Sequence, residues 1–245
     1  MVELPERGRV FRGRRRVRLG DAGRSGRLRW DACARYLQDI GNDDTEESGL
    51  DERVGLGAGI WVVRRAVVDV IEPPRWGEWL DLATWCSGTG GRWAGRRLAM
   101  TGDRGGRVDI DTLWVHLDRD SLMPARLPEA FMELYGEAAG GRKISAKHLL
   151  PGLPDEALER VPWPLRAVDY DVMNHVNNAA YWAAIEELGA PPWAGQPTRA
   201  VLEYGSGIAV DAPVELQVRR EDKQVDVWFT IDGTVHATAR LTPLS

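Results

Sequence analysis

The same order of segments occurs twice along the chain, and this repeat restricts the possible folds more than any other feature of the sequence. In each copy a polar turn precedes a segment with helical apolar spacing, and strand-like segments follow. An alignment of the two copies without gaps pairs these residues: Asp21 with Asp169, Gly26 with Asn174, Leu28 with Val176, Ala32 with Ala180, Cys33 with Tyr181 and Leu37 with Ile185. The sequence therefore predicts an internal duplication, with two similar units in one chain.

The first copy is predicted to contain one helix and several strands. Residues 1–13 are polar and rich in Arg and Gly, and we expect them to be loose. The helix begins near Leu28 and is expected to end at the acidic, glycine-rich segment 43–59. Alternating apolar residues between turn signals predict strands at 14–19, 60–71, 79–87, 92–101 and 108–117.

The second copy repeats this pattern. A short strand is predicted at 164–168, and a helix with apolar spacing runs toward Leu188. Further strands are predicted at 198–204, 213–220, 224–231 and 234–242, with Asp232-Gly233 as a tight hairpin turn. The segment between the copies contains several prolines and glycines and one short helix at 128–139, which is typical of a connection. The predicted division is an N-terminal domain at 1–120, a linker at 121–160 and a C-terminal domain at 161–245.

Composition excludes several classes of protein. A length of 245 residues suggests two domains, and the eleven tryptophans help to build a sizeable core. The net charge is −5 with both signs interleaved, which disfavours nucleic acid or an anionic membrane as a partner. Cys33 and Cys86 have no metal-ligand spacing, so we expect buried, reduced thiols and no metal. No apolar run is long enough to span a bilayer, and we expect a cytoplasmic protein.

The turn before the second helix concentrates polar side chains: Asp171, Asn174, His175, Asn177 and Asn178. Two interpretations compete. Asp and Asn residues before a helix commonly cap its free N–H groups. The same set also supplies a carboxylate and an imidazole beside a helix N-terminus, where N–H groups can stabilise an oxyanion.

Only the second copy can be catalytic. The positions of Asp171 and His175 are Gly23 and Arg27 in the first copy, which offer neither a carboxylate nor a neutral imidazole. The first copy is then expected to supply mainly fold and a pocket.

The string Asp169-x-Asp171-x-x-x-His175-Val-Asn-Asn-x-x-Tyr181 resembles the signature of hot-dog-fold thioesterases, specifically the acyl-ACP thioesterases of the double hot-dog type. Segments 17–21, 26–29 with 35–39, and 84–97 are also similar to bacterial acyl-ACP thioesterases. The resemblance implies an α+β tandem double hot-dog fold, in which antiparallel sheets each wrap around a long helix. It further implies hydrolysis of fatty acyl-ACP to free fatty acid in fatty acid biosynthesis, with acyl carrier protein as partner, no cofactor, and a monomer or homodimer.

The residues of the turn fit that chemistry. Asp171 can act as general base toward water, or attack the carbonyl to give a mixed anhydride, and the sequence does not separate these routes. His175 can orient water, hydrogen-bond the thioester or protonate the departing thiolate. Binding of the substrate or its oxyanion is assigned to the remaining candidates, through backbone or side chain: Asn174, Val176, Asn177 and Asn178.

The chain departs from the plant-type pattern at two positions. An Asn two residues before the His is here Met173, although the adjacent Asn174 can take over its role. A Glu that follows the Leu-Glu-Tyr strand is here Gly207, and Glu203 can replace it only if Glu203 faces the site. Two alternatives stay open beside hydrolysis of acyl-ACP. One is an acyl-CoA thioesterase, which differs in whether carrier protein is required for turnover. The other, which these departures motivate, is an acyl-binding protein without catalysis.

Two basic clusters, 12–18 and Arg92 with Arg96 and Arg97, have two interpretations. They can meet the acidic surface and phosphopantetheine arm of a carrier protein, or they can be ordinary solvated faces. The tryptophans are expected in the core and the pocket wall, where some can limit the acyl chain length.

Overall fold

The computed structural model describes residues 3–50, 59–152, 158–188 and 195–244, in which ten strands and three α-helices form an α+β fold. The helices are α1 (Trp30–Ser48), α2 (Glu129–Ala139) and α3 (Asn178–Leu188). In the first half of the chain the strands are β1 (Val10–Arg16), β2 (Ile60–Glu72), β3 (Trp79–Thr89), β4 (Trp93–Gly102) and β5 (Arg107–Leu117). In the second half they are β6 (Arg160–Pro162), β7 (Thr198–Tyr204), β8 (Glu215–Glu221), β9 (Gln224–Ile231) and β10 (Thr234–Pro243).

All ten strands belong to one antiparallel sheet with the order β1-β3-β4-β5-β2-β7-β10-β9-β8-β6. The two halves of this order are equivalent, because each places its strands in the same sequence outward from the centre. At the centre β2 pairs with β7, with Val67 opposite Val201. Each half thereby covers a sheet edge of the other, and the predicted fold class is confirmed. The predicted domain boundaries stay a prediction.

The long helices α1 and α3 share one hydrophobic core with strands from both halves. Ile40 and Ile185, one from each helix, are almost fully buried in it. The rings of Trp30 and Trp182 lie 5.9 Å apart, and the N–H of Trp30 donates to the carboxylate of Glu186 at 2.9 Å. The two repeats are therefore joined through their helices as well as through the sheet.

Helix α2 confirms the short helix predicted between the copies, and it packs against the first half. Its residues Phe131 and Tyr135 form a smaller apolar cluster with Leu50 and Cys86. Cys33 and Cys86 are both free and buried, as predicted, and burial raises the pKa of each thiol. Residues 153–157 of the predicted linker lie outside the described residues.

Two predicted boundaries are wrong, and each error has a long-range cause. The first strand begins at Val10, within the segment expected to be loose, because Val10 pairs with Trp85 on β3. Helix α1 continues beyond Asp43 to Ser48, because Asp44 is buried between two arginines that are distant in sequence. Residues 51–58 of the predicted loop lie outside the described residues.

Residues 164–168 do not form the predicted strand. They lead into a short 3-10 turn, Ala167–Asp169, in which the carboxylate of Asp169 accepts the N–H of Arg166 at 2.8 Å. The strand that pairs with the edge of β8 is β6, which lies earlier in the chain. Among the described helices, none is long and apolar enough to cross a membrane.

Candidate functional site

The turn before α3 and its counterpart before α1 have the same backbone geometry. The N–H of Asp171 donates to the carbonyl of His175 at 2.9 Å, and the N–H of Gly23 donates to the carbonyl of Arg27 at 2.9 Å. Asn174 has a φ of 58°, and the paired glycine of the first copy has a φ of 73°. The predicted duplication therefore extends to individual hydrogen bonds, although the polar side chains occur in the second turn.

The carboxylate of Asp171 holds its own turn together. Oδ1 accepts the N–H of Met173 at 2.8 Å and the N–H of His175 at 3.3 Å. Oδ2 has no hydrogen-bond partner in the described part of the chain. The capping interpretation and the catalytic one are thus compatible, because one oxygen fixes the loop and the other is free to accept a proton.

A buried tyrosine lies beside this carboxylate. Burial raises the pKa of Tyr181, and the negative charge of Asp171 raises it further. The ring of Tyr181 also packs edge-on against Tyr204, with centroids 5.3 Å apart. The hydroxyl of Tyr204 in turn accepts the indole N–H of Trp182 at 3.1 Å. These aromatic side chains pack against one another beside the first turn of α3.

The imidazole of His175 is exposed and lies against Gly207. A Cβ placed on Gly207 would stand 3.3 Å from Cδ2 of His175. The position at which a Glu was expected is therefore next to the imidazole but carries no carboxylate. Among the described residues no side chain hydrogen-bonds a ring nitrogen of His175, and both Met173 and Asn174 are exposed. Neither Met173 nor Asn174 therefore hydrogen-bonds the imidazole in place of the expected Asn.

Glu203 does not face this turn. Its carboxylate accepts the N–H groups of Leu149 at 3.0 Å and Leu150 at 2.9 Å, and it pairs with Arg65 at 3.2 Å. The imidazole of His148 also lies 3.5 Å from the carboxylate, and no contact in the described part of the chain joins Glu203 to His175. Glu203 is therefore a structural group that anchors the segment after α2 to the sheet, and it cannot replace the missing Glu.

Asn177 caps helix α3. Its side-chain oxygen accepts the N–H of Ala179 at 2.9 Å and the amide of Gln38 at 3.4 Å. The N–H of Val176 donates to Ile208 at 2.9 Å, and the N–H of Asn177 itself donates to Asp169 at 2.8 Å. Within the described residues, the N–H of Asn178 has no such partner. It is the free donor at the helix N-terminus and can hold an oxyanion there.

A half-enclosed cavity of about 520 Å³ begins at Asn177 and Asn178 and extends between α1 and the sheet of the first half toward α2. Its wall consists of Leu37, Gln38, Asp39, Gly41, Asn42, Thr45, Leu50, Trp61, Cys86, Ala94, Gly95, Arg96, Trp114, Phe131, Tyr135, Asn177 and Asn178. Asp171 and His175 are not part of this wall but belong to the turn that ends in it. The second copy thus provides the polar turn, while the first copy provides most of the cavity.

Sequence reasoning missed most of the cavity wall. The polar residues Gln38, Asn42 and Thr45 recur at spacings of four and three on α1, so they share one face of the helix. That spacing was a usable signal for a polar wall. Trp61 and Trp114 line the cavity, in agreement with the expectation that tryptophans contribute to the pocket wall. Phe131 on α2 carried no such signal, because it meets Trp61 on β2 only in the folded chain.

Two of the three arginines of the second basic cluster, Arg96 and Arg97, lie on opposite faces of β4. Arg96 pairs with Asp44 of α1 at 2.7 Å, whereas Arg97 pairs with Asp109 at 3.2 Å on the other face. They therefore do not form one patch for a carrier protein. No group of His, Cys, Asp or Glu residues in the described ranges is arranged to hold a metal ion.

Comparison with protein families matches two regions of the chain. Residues 8–135 match the acyl-ACP thioesterase N-terminal domain, and residues 153–241 match the acyl-ACP thioesterase C-terminal domain. Two strains of Mycobacterium tuberculosis, CDC 1551 / Oshkosh and ATCC 25618 / H37Rv, each have an uncharacterized protein that is 31% identical over 245 residues. That similarity covers 100% of this chain and 96% of each relative.

Solved structures share the fold over almost the whole chain. An acyl-ACP thioesterase from Bacteroides thetaiotaomicron VPI-5482 superposes with a TM-score of 0.78 at 15% identity, covering 95% of this chain and 97% of that one. A 12:0-ACP thioesterase from Umbellularia californica gives a TM-score of 0.79 at 19% identity, covering 96% and 98%. At these identities the likeness establishes the double hot-dog architecture and leaves the chemistry to the residues.

Proposed function

This chain belongs to the acyl-ACP thioesterase family, and from that premise we propose that it hydrolyses fatty acyl-ACP to free fatty acid and ACP. The observation that carries the proposal is the free N–H of Asn178, which lies where the polar turn meets the cavity. An acyl chain in the cavity has its thioester carbonyl at a helix N-terminus, where negative charge is stabilised. The proposal places the enzyme in the cytoplasm, in fatty acid biosynthesis, as a monomer or homodimer.

The free oxygen of Asp171 supplies the base in this proposal. It removes a proton from water as the water oxygen attacks the thioester carbonyl, and the N–H of Asn178 holds the resulting oxyanion. The tetrahedral intermediate then collapses, the C–S bond breaks, and the thiolate takes a proton. In the alternative route, the same oxygen attacks the carbonyl and water opens the mixed anhydride. Both routes need the carboxylate of Asp171 to be ionised.

His175 is the proposed hydrogen-bonding partner of water or of the departing thiolate. Its exposure suits a group that contacts the phosphopantetheine arm rather than the buried chain. Val176 and Asn177 position the turn, because their N–H groups are tied to Ile208 and Asp169. Asn174, in the left-handed conformation, places His175 at the end of the loop.

A second candidate function is acyl binding without turnover. Gly207 and Met173 favour it, because neither can orient the imidazole of His175 by a hydrogen bond. The cavity and the free N–H of Asn178 serve this function equally well. The two functions differ in one observable, which is release of free thiol.

The test is steady-state release of free thiol by the wild-type protein from decanoyl-ACP and decanoyl-CoA. The proposal predicts turnover with a higher kcat/KM for the ACP substrate. Equal or better turnover of the CoA substrate would make the protein an acyl-CoA thioesterase. Saturable binding of both thioesters with no release of thiol would replace the proposal with the acyl-binding function.

A further inference from the structure

We propose that the cavity selects acyl chains that carry an oxygen atom about eight bonds beyond the thioester carbonyl, and that Arg96 recognises this oxygen. The inference names the substrate class of the site described above and rests on the proposed function. It starts from the mixed character of the cavity, in which an arginine stands beside aromatic residues.

Arg96 lines the cavity with part of its guanidinium unpaired. One nitrogen, Nη1, donates to Asp44 at 2.7 Å and to Thr84 at 3.4 Å. Nε and Nη2 have no hydrogen-bond acceptor among the residues that the structure describes, although the guanidinium carbon lies 5.6 Å from the ring centroid of Tyr135, and the side chain is 17% exposed. A guanidinium carries five N–H donors, so several remain to be satisfied within the cavity.

The free-energy cost of leaving those N–H donors without acceptors depends on what fills the cavity. Water can satisfy the N–H groups of Arg96 while the cavity contains only solvent. A hydrocarbon chain that displaces this water leaves charged donors without acceptors, which is unfavourable. A chain with a hydroxyl, keto or carboxylate oxygen at the same depth restores the hydrogen bond and gains from its charge.

Helix α1 gives the depth of Arg96. The amide of Gln38 lies 3.4 Å from the side-chain oxygen of Asn177, so Gln38 marks the end of the cavity at the polar turn. Asp44, the partner of Arg96, follows Gln38 by six residues, which corresponds to about 9 Å along the helix axis. An extended chain advances about 1.1–1.2 Å per bond, so Arg96 lies about eight bonds from the turn.

The wall next to Arg96 supports the same substrate class. Gln38, Asn42 and Thr45 lie along the cavity on one face of α1. Gln38 donates to Asn177 and Thr45 donates to the carbonyl of Gly41, whereas the exposed amide of Asn42 has no hydrogen-bond partner within the described ranges. The opposite wall is aromatic, with Trp61 and Phe131 in contact at a centroid distance of 5.0 Å. One side of the cavity therefore suits a hydrocarbon, and the other suits oxygen substituents.

The experiment measures binding, so that it does not depend on turnover. Two pantetheine amides are used, in which nitrogen replaces the thioester sulfur: the decanoyl amide and the 8-hydroxydecanoyl amide, whose hydroxyl oxygen lies eight bonds from the carbonyl carbon. Isothermal titration calorimetry with the wild-type protein is expected to show about tenfold tighter binding of the hydroxylated amide. Arg96→Met is expected to remove this preference, and Arg96→Lys to restore part of it.

Arg92→Met is the matched control, because Arg92 is exposed and lies outside the cavity wall. Arg96→Met leaves Asp44 paired with Arg9 at 2.6 Å, and thermal unfolding checks that the variant is folded. Equal affinity of the two amides for the wild type, an unchanged preference in Arg96→Met, or no binding of either amide would overturn the inference. If the preference is found but no thioester is hydrolysed, the inference holds and the proposed hydrolysis fails.

Discussion

At the scale of single residues, the site separates structural from chemical roles within one short turn. Asn177 is structural through its side chain, because its oxygen caps Ala179 on α3. Asn178, the next residue, has a backbone N–H without a partner among the described residues, and this N–H is the proposed donor to the oxyanion. A capping residue thus orients the turn while its neighbour keeps a donor open to the cavity.

This division predicts different effects for two adjacent asparagines. Asn177→Ala removes the cap and is expected to lower the free energy of unfolding by about 1 kcal/mol. Asn178→Ala is the matched control and is expected to change it by less than about 0.5 kcal/mol, since its side chain has no hydrogen bond in the described part of the chain. Urea denaturation measures both values, and equal losses would contradict the assignment of the cap to Asn177.

At the scale of secondary-structure elements, α1 and α3 meet through a partly buried carboxylate. Burial raises the pKa of Glu186, while its hydrogen bond from the N–H of Trp30 acts in the opposite direction. A raised pKa means that the folded state favours the protonated carboxyl. Its contribution to stability is present below pH 4.5, the ordinary pKa, and is lost as the pH rises through the folded pKa.

The prediction for this helix contact is that Glu186→Gln is more stable than the wild type at pH 7, by up to about 1 kcal/mol. Gln keeps an oxygen that accepts the N–H of Trp30 and carries no charge to desolvate. The advantage should shrink as the pH falls through the folded pKa and disappear below pH 4.5, the ordinary pKa. Glu187→Gln, at an exposed position on α3, controls for the change in net charge. Denaturation curves from pH 4 to 8 that show a constant difference would contradict this account.

At the scale of the whole molecule, the duplication explains why the proposed site belongs to the turn of only one of the two copies. The two halves form a continuous sheet through β2 and β7, and their helices share one core. The first half keeps the backbone of the polar turn but has Gly23 and Arg27 at its chemical positions. It contributes the cavity instead, so the proposed active site needs both halves.

The sequence predicted those features that depend on local patterns. Alternation located the long strands, and Asp232-Gly233 forms its tight turn with φ values of 49° and 78°. The ungapped alignment predicted the paired turns. The sequence did not predict features that depend on contacts between residues far apart in the chain. Asp44 extends α1 because arginines from β4 and the N-terminal segment meet it, and the cavity exists because α2 packs on the first half.

The central claim is that the carboxylate of Asp171 performs the chemistry. The most direct measurement is free-thiol release from decanoyl-ACP by the wild type and by Asp171→Asn, with thermal unfolding of both proteins. Asn keeps an oxygen that accepts the N–H groups of Met173 and His175 but cannot act as base or nucleophile. The account predicts an unchanged unfolding temperature and a turnover lowered by at least about 100-fold. Turnover equal to that of the wild type would contradict it.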